Sequence, residues 1–155
     1  MAEHLHFDLA DEAATTALGI RVAAALDGGL VIWLHGELGA GKTSFARALL
    51  RAAGAGERIK SPTYSLVECY DLADGRRAWH LDLYRIAAAG ELEWLGLDAL
   101  AEPQALVLVE WPERGLGALP EPDVLLRLEH AGDGRHAELA ALQARGQAVL
   151  DRLSA

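Results

Sequence analysis

The segment Gly36-Glu37-Leu38-Gly39-Ala40-Gly41-Lys42-Thr43 brings glycines, a lysine and a hydroxyl into one short stretch. This is the Walker A pattern, and each part has a physical task. Glycines let successive backbone N–H groups turn inward on phosphate oxygens. A helix starting at Lys42 adds the positive end of its dipole. Lys42 suits the β- and γ-phosphates of ATP, and the Thr43 hydroxyl suits Mg²⁺. Lysine is otherwise scarce: of the 14 Lys and Arg residues only Lys42 and Lys60 are lysine. A lysine inside a glycine loop is then hard to read as filler.

Such a loop needs an acid on the metal side, at the end of another strand. Glu110 directly follows the apolar run Ala105–Val109 and fits that role. Asp82 is the competing acid. Residues 78–84 alternate, with Trp79, Leu81 and Leu83 on one face and His80, Asp82 and Tyr84 on the other. Asp82 is therefore either part of a hydrogen-bonded polar strand face or a group near the γ-phosphate and its attacking water. His80 and Asp82 alone lack the further ligands of a zinc site. Ser61-Pro62-Thr63 is either a plain turn or a segment that senses the γ-phosphate. Trp111, just past a strand end, is expected near the site; Trp33, Trp79 and Trp94 are expected in the core.

Positioning these residues requires a strand, a loop and a helix in that order. Leu30–Leu34 reads as a buried strand, and Lys42 to about Ala53 as an Ala/Leu-rich helix. A first helix is expected over 11–26 with Asp11 as its N-cap. Residues 64–70, 78–84 and 105–109 read as strands, and 87–100 as mostly helical. Val124–Glu129 and Arg135–Ala140, joined through Ala131-Gly132-Asp133-Gly134, read as an antiparallel hairpin at a sheet edge. A helix over 142–153 closes the chain, and no element is assigned to the first ten residues. The pattern predicts an α/β, P-loop NTPase-like three-layer sandwich. Its central sheet is mostly parallel and carries the C-terminal antiparallel hairpin. Residues 1–155 are expected to form one such domain, since no repeat or linker interrupts them.

Composition narrows the function classes. The formal net charge is −9, from 14 Lys and Arg against 23 Asp and Glu. A body this acidic repels nucleic acid, so direct tight RNA or DNA binding is not expected. Arg47 and Arg51, four apart, read as a solvated helix face. No apolar run suits a bilayer, no signal peptide is visible, and Cys69 is a lone cysteine. These features favour the cytoplasm. A GTPase would want an Asn-Lys-x-Asp segment, and the chain contains no asparagine.

Taken in order, Thr15, Gly36–Thr43, Ser61-Pro-Thr-Tyr-Ser-Leu-Val-Glu68, His80-Leu-Asp-Leu-Tyr-Arg85 and Val109-Glu-Trp-Pro112 resemble the TsaE (YjeE) family over about residues 5 to 130. Walker A alone is widely shared; followed by these three segments it is specific. The resemblance implies a small ATPase of the bacterial machinery that makes threonylcarbamoyladenosine next to the tRNA anticodon. It also implies two partner proteins, TsaB and TsaD. It places ATP or ADP against Thr15, Glu37, Leu38, Gly39, Ala40, Gly41, Lys42, Thr43, Ser44, Thr63 and Trp111. By the same resemblance Thr43 and Glu110 hold Mg²⁺, Asp82 supports hydrolysis together with Lys42 and Glu110, and Thr63 lies in a switch-like loop. Glu37 stands where aspartate is usual in the family, and Cys69 where proline is common.

Two other classes share the loop. A small-molecule kinase would need an acceptor pocket and an arginine-bearing lid, for which Arg76-Arg77 or Arg114 are candidates. A module in which nucleotide only sets a docking conformation would have little use for Glu110 and Asp82.

Overall fold

A computed structural model describes residues 4–55, 67–86 and 97–155. Its strands are β1 (His4–Leu9), β2 (Leu30–His35), β3 (Val67–Asp71), β4 (Arg77–Asp82), β5 (Leu106–Glu110), β6 (Val124–Ala131) and β7 (Gly134–Ala141). Its helices are α1 (Glu12–Ala24), α2 (Lys42–Leu50) and α3 (Ala144–Ser154). The strands form one sheet in the order β1-β7-β6-β2-β5-β4-β3. The four central strands, β6, β2, β5 and β4, pair in parallel, and the outer pairs are antiparallel.

The sequence accounts for this arrangement strand by strand. β2 and β5 are continuous apolar runs because both of their faces are covered; Ile32, Leu34 and all of Leu106–Val109 are fully buried. Each such side chain contributes on the order of 1.5–3 kcal/mol. One face of the sheet packs on α1, α2 and α3 through Leu18, Val22, Phe45, Leu49, Val149 and Leu150. The other face holds a smaller core of Val31, Leu81, Leu83, Ile86, Leu100, Val107 and Val109. Among the described residues this second flank is covered by short 3-10 turns at Leu97–Ala101 and Pro112–Arg114.

α1 starts where the sequence predicts: the Asp11 carboxylate accepts from the Ala14 N–H at 2.9 Å. Its Gly19 permits close packing on α2, since an added Cβ would come within 2.8 Å of the Phe45 carbonyl oxygen. α2 is regular to Leu50 and then widens into a π turn over Arg51–Ala55, which ends with Gly54 in the left-handed region. Arg51 is exposed and Arg47 half-buried; together they line a groove with Glu12 and Ile20 of α1.

Three expectations need correction. The β6–β7 hairpin is not at the edge: β6 runs beside β2, and β1 covers β7. Alternation in β6 reports that Val124, Leu126 and Leu128 are buried while Arg127 and Glu129 are exposed. It identifies faces, not neighbours. On that side the edge strand is β1, whose Leu5, Phe7 and Leu9 alternate with His4, His6 and Asp8. Trp33 and Trp79 are only half-buried, packed against the thinner core. Of the expected helix over 87–100, residues 87–96 lie outside the described residues, as do Trp94 and the first part of the strand expected over 64–70; 97–101 is a 3-10 turn. No helix among the described residues is long and apolar enough to cross a membrane.

Candidate functional site

The glycine loop joins β2, a central strand, to α2. Gly39 and Gly41 have φ of 78° and 106°, a region that side chains rarely adopt. Gly41 caps α2, so Lys42 and Thr43 are its first two residues. Thr15 of α1 is buried against Gly41: its methyl lies 3.5 Å from the place a Cβ would take there. Ala40 is fully buried, while Glu37 and Leu38 are exposed.

Lys42 is 4% exposed, which is unusual for a lysine. Its Nζ donates to the Gly36 carbonyl and lies 3.7 Å from the centroid of the Trp111 ring. Burial holds its pKa below the usual lysine range, opposed by the carboxylates of Glu110, Asp82 and Glu113. The ring face and the carbonyl replace part of the water the ammonium has lost.

Glu110 is the last residue of β5 and is 2% exposed. The Thr43 hydroxyl lies 2.9 Å from one of its oxygens and 3.1 Å from the other. His80 Nε2 lies 2.7 Å from Oε2. β4 and β5 are parallel neighbours with Asp82 in register with Glu110, so both carboxylates emerge at the same end of the sheet. Asp82 is half-buried and accepts from the Tyr84 N–H at 3.0 Å. Burial pushes its pKa above the usual carboxylate range; the Tyr84 N–H opposes this, Glu110 adds to it, and His80 and Lys42 oppose it.

Trp111 has φ 58°, the one positive-φ residue other than glycine among the described residues. A left-handed backbone at a bulky residue costs on the order of 1–3 kcal/mol and concentrates at functional sites. Here it turns the chain out of β5 and lays the indole beside Lys42 and 5.0 Å from the Tyr84 ring. Arg114 lies over both rings and donates to the Ile86 carbonyl at 3.4 Å.

These groups surround a cavity of about 400 Å³ lined by Leu38, Gly39, Gly41, Lys42, Thr43, Asp82, Tyr84, Arg85, Glu110 and Trp111. A second cavity, about 280 Å³, lies across the loop against Asp11, Glu12, Thr15, Gly39, Ala40, Gly41, Ser44, Asp133, Gly134 and Arg135. Eight of the residues expected to serve the site therefore share the first cavity, and Thr15, Ala40 and Ser44 line the second. Ser44 donates to Glu12 at 3.1 Å. Glu37 lines neither; its neighbours around a third cavity are His35, Glu113 and Arg127. Thr63 lies outside the described residues.

Two contributors escaped the sequence reading. His80 is legible in the sequence as a member of an alternating strand and of an incomplete zinc pair, and nothing local shows that its face is sealed. Arg135 ties the hairpin to the loop, donating to the Gly39 carbonyl at 3.0 Å. Its turn was legible, but its partner is 96 positions away in the chain.

A parallel sheet core, a glycine loop between a central strand and a helix, and an acid at the tip of the adjacent strand define a protein of the P-loop class. The family model for "Threonylcarbamoyl adenosine biosynthesis protein TsaE" matches residues 9–137, and the chain belongs to the TsaE family. It is 40% identical over 125 residues to the tRNA threonylcarbamoyladenosine biosynthesis protein TsaE of Haemophilus influenzae, covering 81% of this chain and 78% of the relative. The protein of the same name from Bacillus subtilis is 33% identical over 142 residues, with 90% and 87% covered. The crystal structure of Bacillus subtilis YdiB superposes with a TM-score of 0.79 at 28% identity, covering 99% of this chain and 96% of that one.

Proposed function

We propose that this chain is a Mg²⁺-dependent ATPase of one domain that docks on a TsaB–TsaD complex. In this role it supports threonylcarbamoyl modification of the adenosine next to the tRNA anticodon, in the cytoplasm. The observation that carries the reading is the meeting of Lys42, Thr43, Asp82, Glu110 and Trp111 around one cavity beneath the glycine loop.

Loop N–H groups and Lys42 would hold the phosphates of ATP or ADP, with Trp111 beside them. Thr15, Ala40 and Ser44 would serve the part of the nucleotide that reaches the second cavity, and Thr63 the γ-phosphate side. Glu37 and Leu38 would contribute through the loop backbone. Thr43 and Glu110 fit Mg²⁺: they are hard oxygen donors already within 3.1 Å of each other. When bound, the ion supplies charge neutralisation across the phosphate oxygens. Asp82 would accept the proton of the attacking water, a task helped by burial, which raises its carboxyl pKa above the usual range and makes it a better base.

Turnover by the lone chain should be slow. Arg114 is engaged with Tyr84, Trp111 and Ile86, and Arg85 is exposed at the cavity rim. A supplied or reordered arginine is worth about 10³- to 10⁵-fold in other nucleotide switches. The test is the steady-state ATPase rate with and without purified TsaB–TsaD. The rate should rise on adding the complex, and Thr63→Ala should blunt that rise more than it weakens ATP binding. Fast hydrolysis by the lone chain with no response to the complex would overturn the proposal.

A further inference from the structure

His80 is a fully buried histidine that the phosphate chemistry does not call upon. It lies on β4 two residues before Asp82, paired across the sheet with Leu108 of β5 and Glu68 of β3. Its Nε2 lies 2.7 Å from Glu110 Oε2, and both side chains are almost completely shielded from water. Its Nδ1 is enclosed and has no hydrogen-bond partner among the described residues.

The unpaired Nδ1 makes the ring expensive as packing. A leucine or phenylalanine there would bury no orphaned polar atom, so core packing gives no reason for an imidazole. Its single polar side-chain contact among the described residues is the one to Glu110. An ionised carboxylate only accepts, so the ring donates through Nε2–H. Glu110 has one other described side-chain donor, the Thr43 hydroxyl, which lies within 3.1 Å of both of its oxygens.

We infer that His80 is a positioning residue: it orients the Glu110 carboxylate for the cation held with Thr43. The inference rests on the Mg²⁺ reading of Thr43 and Glu110. When Thr43 turns a lone pair to the cation, its single rotatable O–H is all it has left with which to hold Glu110. His80 is then what keeps the carboxylate from swinging, because its own position is fixed by the β-ladder on both sides. Partners of this kind commonly set metal affinity by about 10- to 100-fold.

The experiment measures Mg²⁺ affinity in the presence of saturating ADP by calorimetry, for wild type, His80→Leu and His80→Gln. Glutamine can offer an N–H near the place of Nε2, and leucine cannot. His80→Leu should weaken Mg²⁺ binding by about 10- to 100-fold while ADP affinity without metal stays within about twofold. His80→Gln should recover most of the loss. In the Glu110→Ala background, His80→Leu should have no further effect. A companion ¹⁵N spectrum of wild type with ADP and Mg²⁺ should show the ring protonated at Nε2, which needs no variant to fold. An unchanged Mg²⁺ affinity in folded His80→Leu, a loss that glutamine does not rescue, or an Nδ1–H tautomer would each overturn the inference. If wild type itself binds ADP equally with and without Mg²⁺, the metal reading falls first, and the two failures are told apart.

Discussion

The two cavities flanking the glycine loop are built on opposite principles. On the β4–β5 side, Lys42, His80 and Glu110 are buried, His80 lies against Glu110 and the Glu110 charge bears on Lys42, so each polar group depends on its neighbours. On the hairpin side, Asp11, Glu12 and Asp133 are exposed, and Arg135 reaches the loop through one hydrogen bond to a carbonyl. Charges in a water-poor site act strongly and tolerate little change; charges facing water act weakly and tolerate much. The first side is therefore suited to chemistry and the second to holding and selecting.

If this contrast is right, substitutions should rank by side. The largest effect belongs to Asp82→Asn, which should lower kcat by about 10²- to 10⁴-fold with little change in KM. Its removal should also change how stability varies with pH. The fold raises the Asp82 pKa, so the folded chain keeps this proton at pH values where the unfolded chain has lost it. Stability from this group is then highest at low pH and falls as pH rises from the usual aspartate range through the raised value. Denaturant melts across that window should show a shallower fall in Asp82→Asn; an unchanged profile would place Asp82 outside this electrostatic cluster.

Lys42→Ala comes next. It removes a charge-assisted contact worth on the order of 1.5–3 kcal/mol, so ATP affinity measured by calorimetry should drop about 10- to 100-fold. The fold should survive, because a buried ammonium is costly to keep. Equal affinity in a folded variant would remove the lysine from the phosphate site. Trp111→Phe keeps a ring under Lys42 and should weaken binding only slightly, yet abolish most of the nucleotide-induced change in tryptophan emission. A signal that survives intact would move the nucleotide away from Trp111. Arg135→Ala should have the smallest effect, about fivefold or less in ATP affinity, as expected for one hydrogen bond near water. A loss there matching that of Lys42→Ala would erase the distinction between the two sides.

What could be read from the sequence follows the same division between local and distant causes. The loop was legible because its residues are contiguous and its flanking strand and helix have clear patterns. Glu110 was legible because an apolar run stops at it. The burial of His80 was not legible: alternation over 78–84 shows two faces but cannot say that the polar one is sealed at His80. The interior place of the β6–β7 hairpin depended on β1, whose short polar-looking sequence gave little sign of a strand. Nor does anything in Val109-Glu110-Trp111-Pro112 announce the left-handed turn at Trp111. That turn is fixed by where the ring packs, against Lys42 and Tyr84, which lie far away in sequence.

The most direct test of the account is calorimetric titration of the wild-type chain with ATP, once with Mg²⁺ and once with a chelator. The account predicts one saturable site whose affinity Mg²⁺ raises by about tenfold or more, the scale of a charged contact, and whose metal dependence Glu110→Ala abolishes. Absence of binding, or equal affinity under the two conditions, would contradict it.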